Sequence, residues 1–237
     1  MPLIMNKKQF YKGLVSLILF LLLLIPLFTP VFEGKTGMEA ADNLFNSLSK
    51  GSSYYIPMVA EEAADYQGKT LDMKFKVKEP ADTELMTKLF AGAGAEVAVS
   101  GEGLAVKGDL GAVIQAAIAD SDDLFLEQES AIQARYGEEN ARLVLYCWYD
   151  SFYQMEKHFM HDNRFDDALF VKKVMSRALE PSYNFAGFTA AKVSDRAGIT
   201  IFLLTFYVFY TLWYGFSIMF LFEGLGITAS KSEKKET

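Results

Sequence analysis

Residues 197–222 read AGITIFLLTFYVFYTLWYGFSIMFLF and contain no charged side chain between Arg196 and Glu223. As an α-helix that rises ~1.5 Å per residue, this run would extend ~39 Å, which exceeds the ~30 Å hydrocarbon core of a bilayer. A soluble domain of this size does not need a helix that is apolar on every face. The run therefore predicts a transmembrane helix over residues 197–222.

A second charge-free stretch, residues 13–32, lies near the N-terminus. Three lysines and no acid precede it: Lys7, Lys8 and Lys12. Basic residues before a leucine-rich run resemble the start of a signal peptide, but no A-x-A-like cleavage site occurs before Glu33. We therefore predict an uncleaved signal anchor over residues 13–32, which Pro26 and Pro30 kink or end near its far side.

The lysines predict how the chain crosses the membrane. Three further lysines follow the second span: Lys231, Lys234 and Lys235. Under the positive-inside rule the N-terminal residues 1–12 and the tail 223–237 are then both cytoplasmic. Residues 33–196 would form a single extracytoplasmic domain between the two spans.

The composition of this domain excludes several classes of partner and site. Residues 33–196 carry 17 Lys and Arg against 27 Asp and Glu, a net charge of −10, which repels nucleic acid and anionic lipid headgroups. Cys147 is the only cysteine, so an internal disulfide, an Fe–S site or a zinc knuckle cannot form. The chain has no N-x-[ST] sequon, and a bacterial inner membrane fits these features best.

Period-two alternation predicts a strand over residues 69–78, with Leu71, Met73, Phe75 and Val77 on one face. A helix over residues 81–91 and two short strands joined through Gly101-Glu-Gly103 follow, and Asp109 then caps another helix. This order predicts a small β-α-β-β-α unit in which helices cover one face of an antiparallel sheet.

The remainder of the domain is predicted to be helical, with helices over residues 122–136, 138–160 and 162–179. The middle helix has a continuous apolar stripe: Ala141, Leu145, Trp148, Phe152, Met155 and Phe159. The last helix is predicted to face inward with Phe165, Leu169, Val174 and Ala178. With the middle helix it would form an antiparallel hairpin that Pro181 ends. The sequence therefore predicts an α+β protein with two spans and one extracytoplasmic domain, sheet unit first and helical hairpin second.

Two histidines, His158 and His161, are candidate metal ligands, because their spacing places both imidazoles on one side of a helix beside Asp162. Cys147 lies ~16 Å away along a straight helix and cannot share that metal. The alternative is a pair of solvated histidines at a helix end. No C-x-x-C-H haem motif occurs, and we predict no cofactor.

No catalytic motif supports an enzyme. The glycine pairs do not form a G-x-G-x-x-G or a P-loop motif, and neither G-x-S-x-G nor H-E-x-x-H occurs. Pairs of acidic residues are predicted at helix starts, where they complement the helix dipole.

Tyrosines on the longest helix of the domain provide a candidate interface. Tyr146, Tyr149 and Tyr153 recur at i, i+3 and i+7 on a face beside the apolar stripe. Tyrosine is enriched at interfaces because its ring buries area while its hydroxyl forms hydrogen bonds. These residues would contact a partner or ligand, or alternatively pack against the small sheet.

The second span carries polar aromatic residues toward its middle, where each hydroxyl or indole N–H needs a partner. These residues are Tyr207, Tyr210, Trp213 and Tyr214. Thr211 and Gly215 form a small-x-x-x-small pair that permits close helix contact. We therefore expect this helix to pack against the first span, a second copy of the chain or another integral membrane protein. Neither span contains an ionisable Asp, Glu, Lys, Arg or His, which argues against an ion path.

Together these features predict a non-enzymatic accessory or scaffold subunit of a larger inner-membrane assembly, docking through the second span and the acidic domain. One alternative is a small-solute sensor domain that acts through a partner, because only 15 residues follow the second span. A further alternative is a membrane-anchored enzyme or metal carrier that uses His158 and His161.

Overall fold

The computed structural model describes residues 4–32, 34–101 and 103–227. The lysines predicted to mark the cytoplasmic tail, and Glu102 of the predicted hairpin turn, lie outside these ranges. The described chain forms two compact units. One is Asn46–Ala191, and the other comprises the described parts of Met1–Phe45 and Lys192–Thr237.

Helices dominate the described residues. In chain order they are α1 (Lys7–Phe28), α2 (Gly37–Ser52), α3 (Ile56–Glu62), α4 (Thr83–Gly92), α5 (Leu110–Phe125), α6 (Glu129–Tyr136), α7 (Ala141–His161), α8 (Phe165–Val174), α9 (Glu180–Asn184) and α10 (Val193–Gly224). A π-helical segment, Met175–Leu179, joins α8 to α9, and 3-10 turns occur at Ala63–Tyr66 and Pro80–Asp82. The strands are β1 (Thr70–Lys76), β2 (Glu96–Ser100) and β3 (Gly103–Asp109).

The three strands form an antiparallel sheet in the order β1-β3-β2. Thr70 pairs with Asp109 at one end of the β1–β3 ladder, and Lys76 pairs with Gly103 at the other. Exposure alternates strictly along β1, with Leu71, Met73 and Phe75 buried. The predicted helix-rich α+β class with a small antiparallel sheet is therefore confirmed.

The apolar stripe of α7 forms the centre of the core. All six of its predicted residues are buried: Ala141, Leu145, Trp148, Phe152, Met155 and Phe159. The ring of Trp148 lies edge-on to Phe90 at 5.5 Å between centroids and to Phe152 at 6.2 Å. Each large apolar side chain contributes about 1.5–3 kcal/mol when buried. α7 also packs against α8, the next helix along the chain.

The predicted single helix over residues 122–136 is wrong. α5 continues to Phe125, because Leu124 and Phe125 extend its buried stripe, and the chain then turns at Glu127, whose φ is 61°. Asp122 and Asp123 therefore lie in the last turn of α5 rather than at a helix start. Asp122 accepts a hydrogen bond from the Tyr54 hydroxyl at 2.8 Å.

Pro181 was predicted to end a helix, but the chain remains helical through it as far as Asn184. The π-helical segment before it accounts for this difference. The backbone N–H of Glu180 donates to the carbonyl of Met175, five residues back. Pro181 then occupies the first turn of α9, where its missing N–H is tolerated.

α8 is rotated relative to the prediction. Phe165 and Leu169, which were predicted to face inward, are 50% and 63% exposed. Asp167 faces inward instead and accepts hydrogen bonds from Lys69 at 2.8 Å and from Arg164 at 2.7 Å. Burial alone would raise the pKa of Asp167, but these two cations offset burial and hold the pKa below its ordinary value.

α1 and α10 are long and apolar enough to cross a membrane. α1 begins at Lys7, where the Asn6 side chain accepts a hydrogen bond from the backbone of Gln9, and ends at Phe28 rather than residue 32. Thr29 is extended because it precedes Pro30, and Pro26 lies within the helix. α10 extends four residues before and two after the predicted range of 197–222.

Candidate functional site

α1 and α10 pack closely and antiparallel where glycines leave room. A Cβ atom added at Gly13 would lie 2.7 Å from the backbone nitrogen of Leu221 and 2.9 Å from the carbonyl of Ser217. A Cβ atom at Gly224 would similarly lie 2.5 Å from Phe10. Small residues allow two apolar helices to approach until their backbones touch.

A small hydrogen-bonded ring joins the two helices. The indole N–H of Trp213 donates to Ser16 Oγ at 2.8 Å, and the Ser217 hydroxyl donates to the Trp213 carbonyl at 2.8 Å. The Ser16 and Ser217 oxygens are 2.7 Å apart, so the Ser16 proton is directed to Ser217. The ring supplies the partner that the Trp213 indole needs in an apolar environment.

Aromatic contacts extend this pairing along α10. The ring of Phe20 stacks on Tyr210 at 4.3 Å between centroids and lies 5.3 Å from Tyr214. Tyr210 and Trp213 therefore face α1, whereas Tyr214 lies at the margin of the pair. The sequence pattern indicated these three aromatic residues but did not indicate Ser16 or Ser217. The available signal was that Ser16 is the only hydroxyl residue between Lys12 and Thr29.

A second side of α10 is not covered by α1, and we call it the outer face. It consists of Tyr207, Thr211 and Gly215, with Tyr214 at its margin toward α1. Tyr207 is 67% exposed, and a Cβ atom added at Gly215 would meet no described atom within 4 Å. At ~100° per residue these four positions span an arc of about 100°. Thr211 donates its hydroxyl proton to the Tyr207 carbonyl at 2.7 Å.

The tyrosines predicted on α7 are exposed within the unit Asn46–Ala191. Tyr146, Tyr149 and Tyr153 each expose a substantial part of the side chain. The ammonium of Lys157 lies 4.1 Å from the centroid of the Tyr153 ring. These three tyrosines are thus accessible to a ligand or partner along this face of α7.

Two of these tyrosines line a groove of about 400 Å³ between α7 and the segment that contains α9. We call it the tyrosine groove, and its lining residues are Leu145, Tyr146, Tyr149, Leu179, Glu180, Tyr183 and Asn184. Partial burial and the neighbouring carboxylate of Glu180 raise the pKa of Tyr149. The sequence pattern did not indicate Glu180, Tyr183 and Asn184 as groove residues, because Pro181 predicts the end of the helix.

The two histidines share one exposed carboxylate. His158 Nε2 lies 3.4 Å from one oxygen of Asp162, and His161 Nδ1 lies 3.0 Å from the other. Cys147 is 2% exposed, and burial raises the pKa of its thiol to about 12. Among residues 4–32, 34–101 and 103–227, no group of three or more His, Cys, Asp and Glu side chains is arranged to hold a metal.

A buried polar cluster around Asp120 has a structural explanation. Its carboxylate accepts hydrogen bonds from the Tyr136 hydroxyl at 2.8 Å and the Trp148 indole at 2.6 Å, and Arg135 lies 2.7 Å away. Burial raises the pKa of Asp120, and these three donors partly oppose that effect. Because the donors come from α6 and α7, the cluster links α5 to both helices.

The described residues thus offer two surfaces suited to recognition. The outer face of α10 presents a phenol, a hydroxyl and an open glycine on an apolar helix. The tyrosine groove presents three phenol rings and one carboxylate. No protein-family model, curated protein or solved structure matches this chain.

Proposed function

We propose that this chain is a non-enzymatic accessory subunit of a larger bacterial inner-membrane assembly, anchored by α1 and α10 and docked through the outer face. The proposal rests on the observation that α1 does not cover the outer face. α1 satisfies Trp213 and stacks on Tyr210, yet it leaves Tyr207 and Gly215 open. A helix whose only role was to anchor the chain would not need this second polar and small-residue face.

The chemistry of the outer face defines its partner. A phenol hydroxyl in hydrocarbon is costly unless it donates to an acceptor, and a neighbouring helix can supply a carbonyl or side-chain oxygen. The open surface beside Gly215 allows the partner's backbone to approach closely. We therefore assign the face to a helix of a different integral membrane protein. The acidic domain provides further contact area, and nucleic acid is not a partner.

Native purification from membranes of the source organism, followed by mass spectrometry, tests this function. We expect one integral membrane protein to co-purify with the chain in stoichiometric amount. The double variant Tyr207→Leu, Gly215→Leu should lower that amount about tenfold, which corresponds to ~1.4 kcal/mol of contact free energy.

Phe209→Leu is the matched control, because Phe209 lies ~200° around the helix from Tyr207 and is also exposed. It should retain the partner in full. A monomer without a co-purifying protein would overturn the proposal, as would a homodimer that the double variant disrupts.

A further inference from the structure

The tyrosine groove is lined by aromatic rings and one negatively charged side chain. Tyr146 and Tyr149 project from α7, one turn apart, and Tyr183 lies opposite on α9. Glu180 is the only Asp, Glu, Lys, Arg or His among the lining residues. The volume of the groove, about 400 Å³, falls within the range of small-molecule sites.

The local backbone explains why these residues meet. The π-helical segment Met175–Leu179 adds a residue to one turn, which changes the face that the following residues present. Leu179, Glu180 and Tyr183 consequently line the side of the groove opposite α7. Such π segments occur frequently at functional sites.

We propose that the tyrosine groove binds a small organic cation of the alkylammonium class. Aromatic faces carry partial negative charge and attract ammonium groups, and the carboxylate of Glu180 supplies the compensating full charge. Leu145 and Leu179 provide apolar surface for the alkyl part of the ligand. This inference stands independently of the proposed docking function, because it concerns the other unit.

The neighbouring cations are consistent with this assignment. Lys78 lies 5.9 Å from the centroid of the Tyr146 ring, and Arg142 lies 5.9 Å from that of Tyr183. Neither residue lines the groove, and both distances lie at the ~6 Å limit of a cation–π contact, so a bound ammonium would displace only weak contacts. The remaining exposed tyrosine of α7, Tyr153, is also outside the lining and already contacts Lys157.

Isothermal titration of the full-length protein, in a maltoside detergent that contains no choline, provides the test. Choline is the probe, and we expect a dissociation constant of roughly 0.1–10 mM. The neutral isostere 3,3-dimethylbutan-1-ol has the same shape without the charge and should bind at least about tenfold more weakly. Equal binding of the two compounds, or no choline binding up to ~50 mM, would overturn the proposal.

Variants locate the site. Glu180→Gln preserves the shape of an exposed side chain and should weaken choline binding about tenfold, and Tyr183→Leu should have an effect of similar size. Tyr153→Leu is the matched control on α7 and should bind choline like the unmodified protein. Unchanged binding in both groove variants, with circular dichroism spectra that show folded protein, would contradict the assignment.

A lipid headgroup carries the same cation, and phosphocholine distinguishes that source. Its phosphate would lie near the carboxylate of Glu180, so we expect phosphocholine to bind more weakly than choline. Tighter binding of phosphocholine would instead identify a headgroup as the occupant and overturn the assignment to a free cation.

Discussion

Asp109 links β3 to α5 through both oxygens of its carboxylate. One oxygen accepts a hydrogen bond from the backbone N–H of Ala112 at 2.9 Å, as an N-cap, and the other accepts from Gly68 at 2.6 Å. The bond from Ala112 is the main reason that the pKa of Asp109 lies below its ordinary value. Asp109 therefore stabilises both the start of a core helix and the turn before β1.

Replacing Asp109 provides a prediction with a defined pH dependence. Asp109→Ala should lower the free energy of unfolding by about 1 kcal/mol at pH 7, because an N-cap is lost. A carboxylate whose folded pKa is depressed stabilises fully above its unfolded pKa and loses that contribution as pH falls through the folded value. The difference between the two proteins should therefore shrink below pH ~4.

Thiol labelling of Cys147 measures the free energy of unfolding. Its thiol is buried with a pKa of about 12, so a thiol reagent labels it only when the domain opens. Pulse labelling across a urea series gives the stability of each variant at each pH. Asp109→Asn is the control, because asparagine also caps helices but does not titrate. It should remain close to the unmodified protein at pH 7. A difference between Asp109→Ala and the unmodified protein that is as large at pH 3 as at pH 7 would refute the linkage.

At the scale of elements, the pairing of α1 with α10 depends on surfaces that were not obvious from either helix alone. Gly13 lies against the backbone of α10, whereas Gly215 faces open space among the described residues. These two glycines both belong to long apolar helices but have different roles. One permits the pair to form, and the other leaves the outer face accessible.

The two glycines therefore predict different responses to the same substitution. Gly13→Leu would place its Cβ atom 2.7 Å from the backbone nitrogen of Leu221, so we expect it to separate the helices and lower the melting temperature in detergent by several degrees. Gly215→Leu should leave that temperature unchanged within about 1 °C. Size-exclusion chromatography after heating measures both. Equal losses in the two variants would refute this arrangement of the pair.

At the scale of the whole molecule, the ends of the helix pair bear on the predicted membrane topology. The backbone nitrogens of Met5 and Asn6 donate to the Gly224 carbonyl at 2.9 and 3.0 Å. The start of α1 and the end of α10 thus lie at the same end of the pair. If the pair spans a membrane, we therefore expect both termini on one side, and the positive-inside rule predicts that this side is the cytoplasm.

Reporter fusions test the orientation. Green fluorescent protein fused after Thr237 should fluoresce, because it folds in the cytoplasm. Alkaline phosphatase fused after Ala191, in place of α10, should be active, because it requires an oxidising extracytoplasmic compartment. The opposite pair of results would reverse the predicted topology, and the same fusions exchanged between the two sites provide the control.

Local periodicity determined much of the fold before tertiary contacts were considered. The alternation along β1 and the stripe from Ala141 to Phe159 predicted which side chains are buried, because both patterns report the geometry of a single element. The long uncharged runs predicted α1 and α10 for the same reason. The ends of the elements were less predictable. The helix continues past Pro181 because a π-helical segment, which packs in the core, precedes the proline.

Only the tertiary structure decided which residues from distant parts of the chain meet. Ser16 and Trp213 are separated by 197 positions and interact because α1 and α10 pack antiparallel. Glu180 joins Tyr146 and Tyr149 in one groove because the π segment changes the face presented by α9. Residue patterns encode the geometry of one helix or strand, whereas these sites depend on the rotation and register between elements, which packing and long-range hydrogen bonds determine.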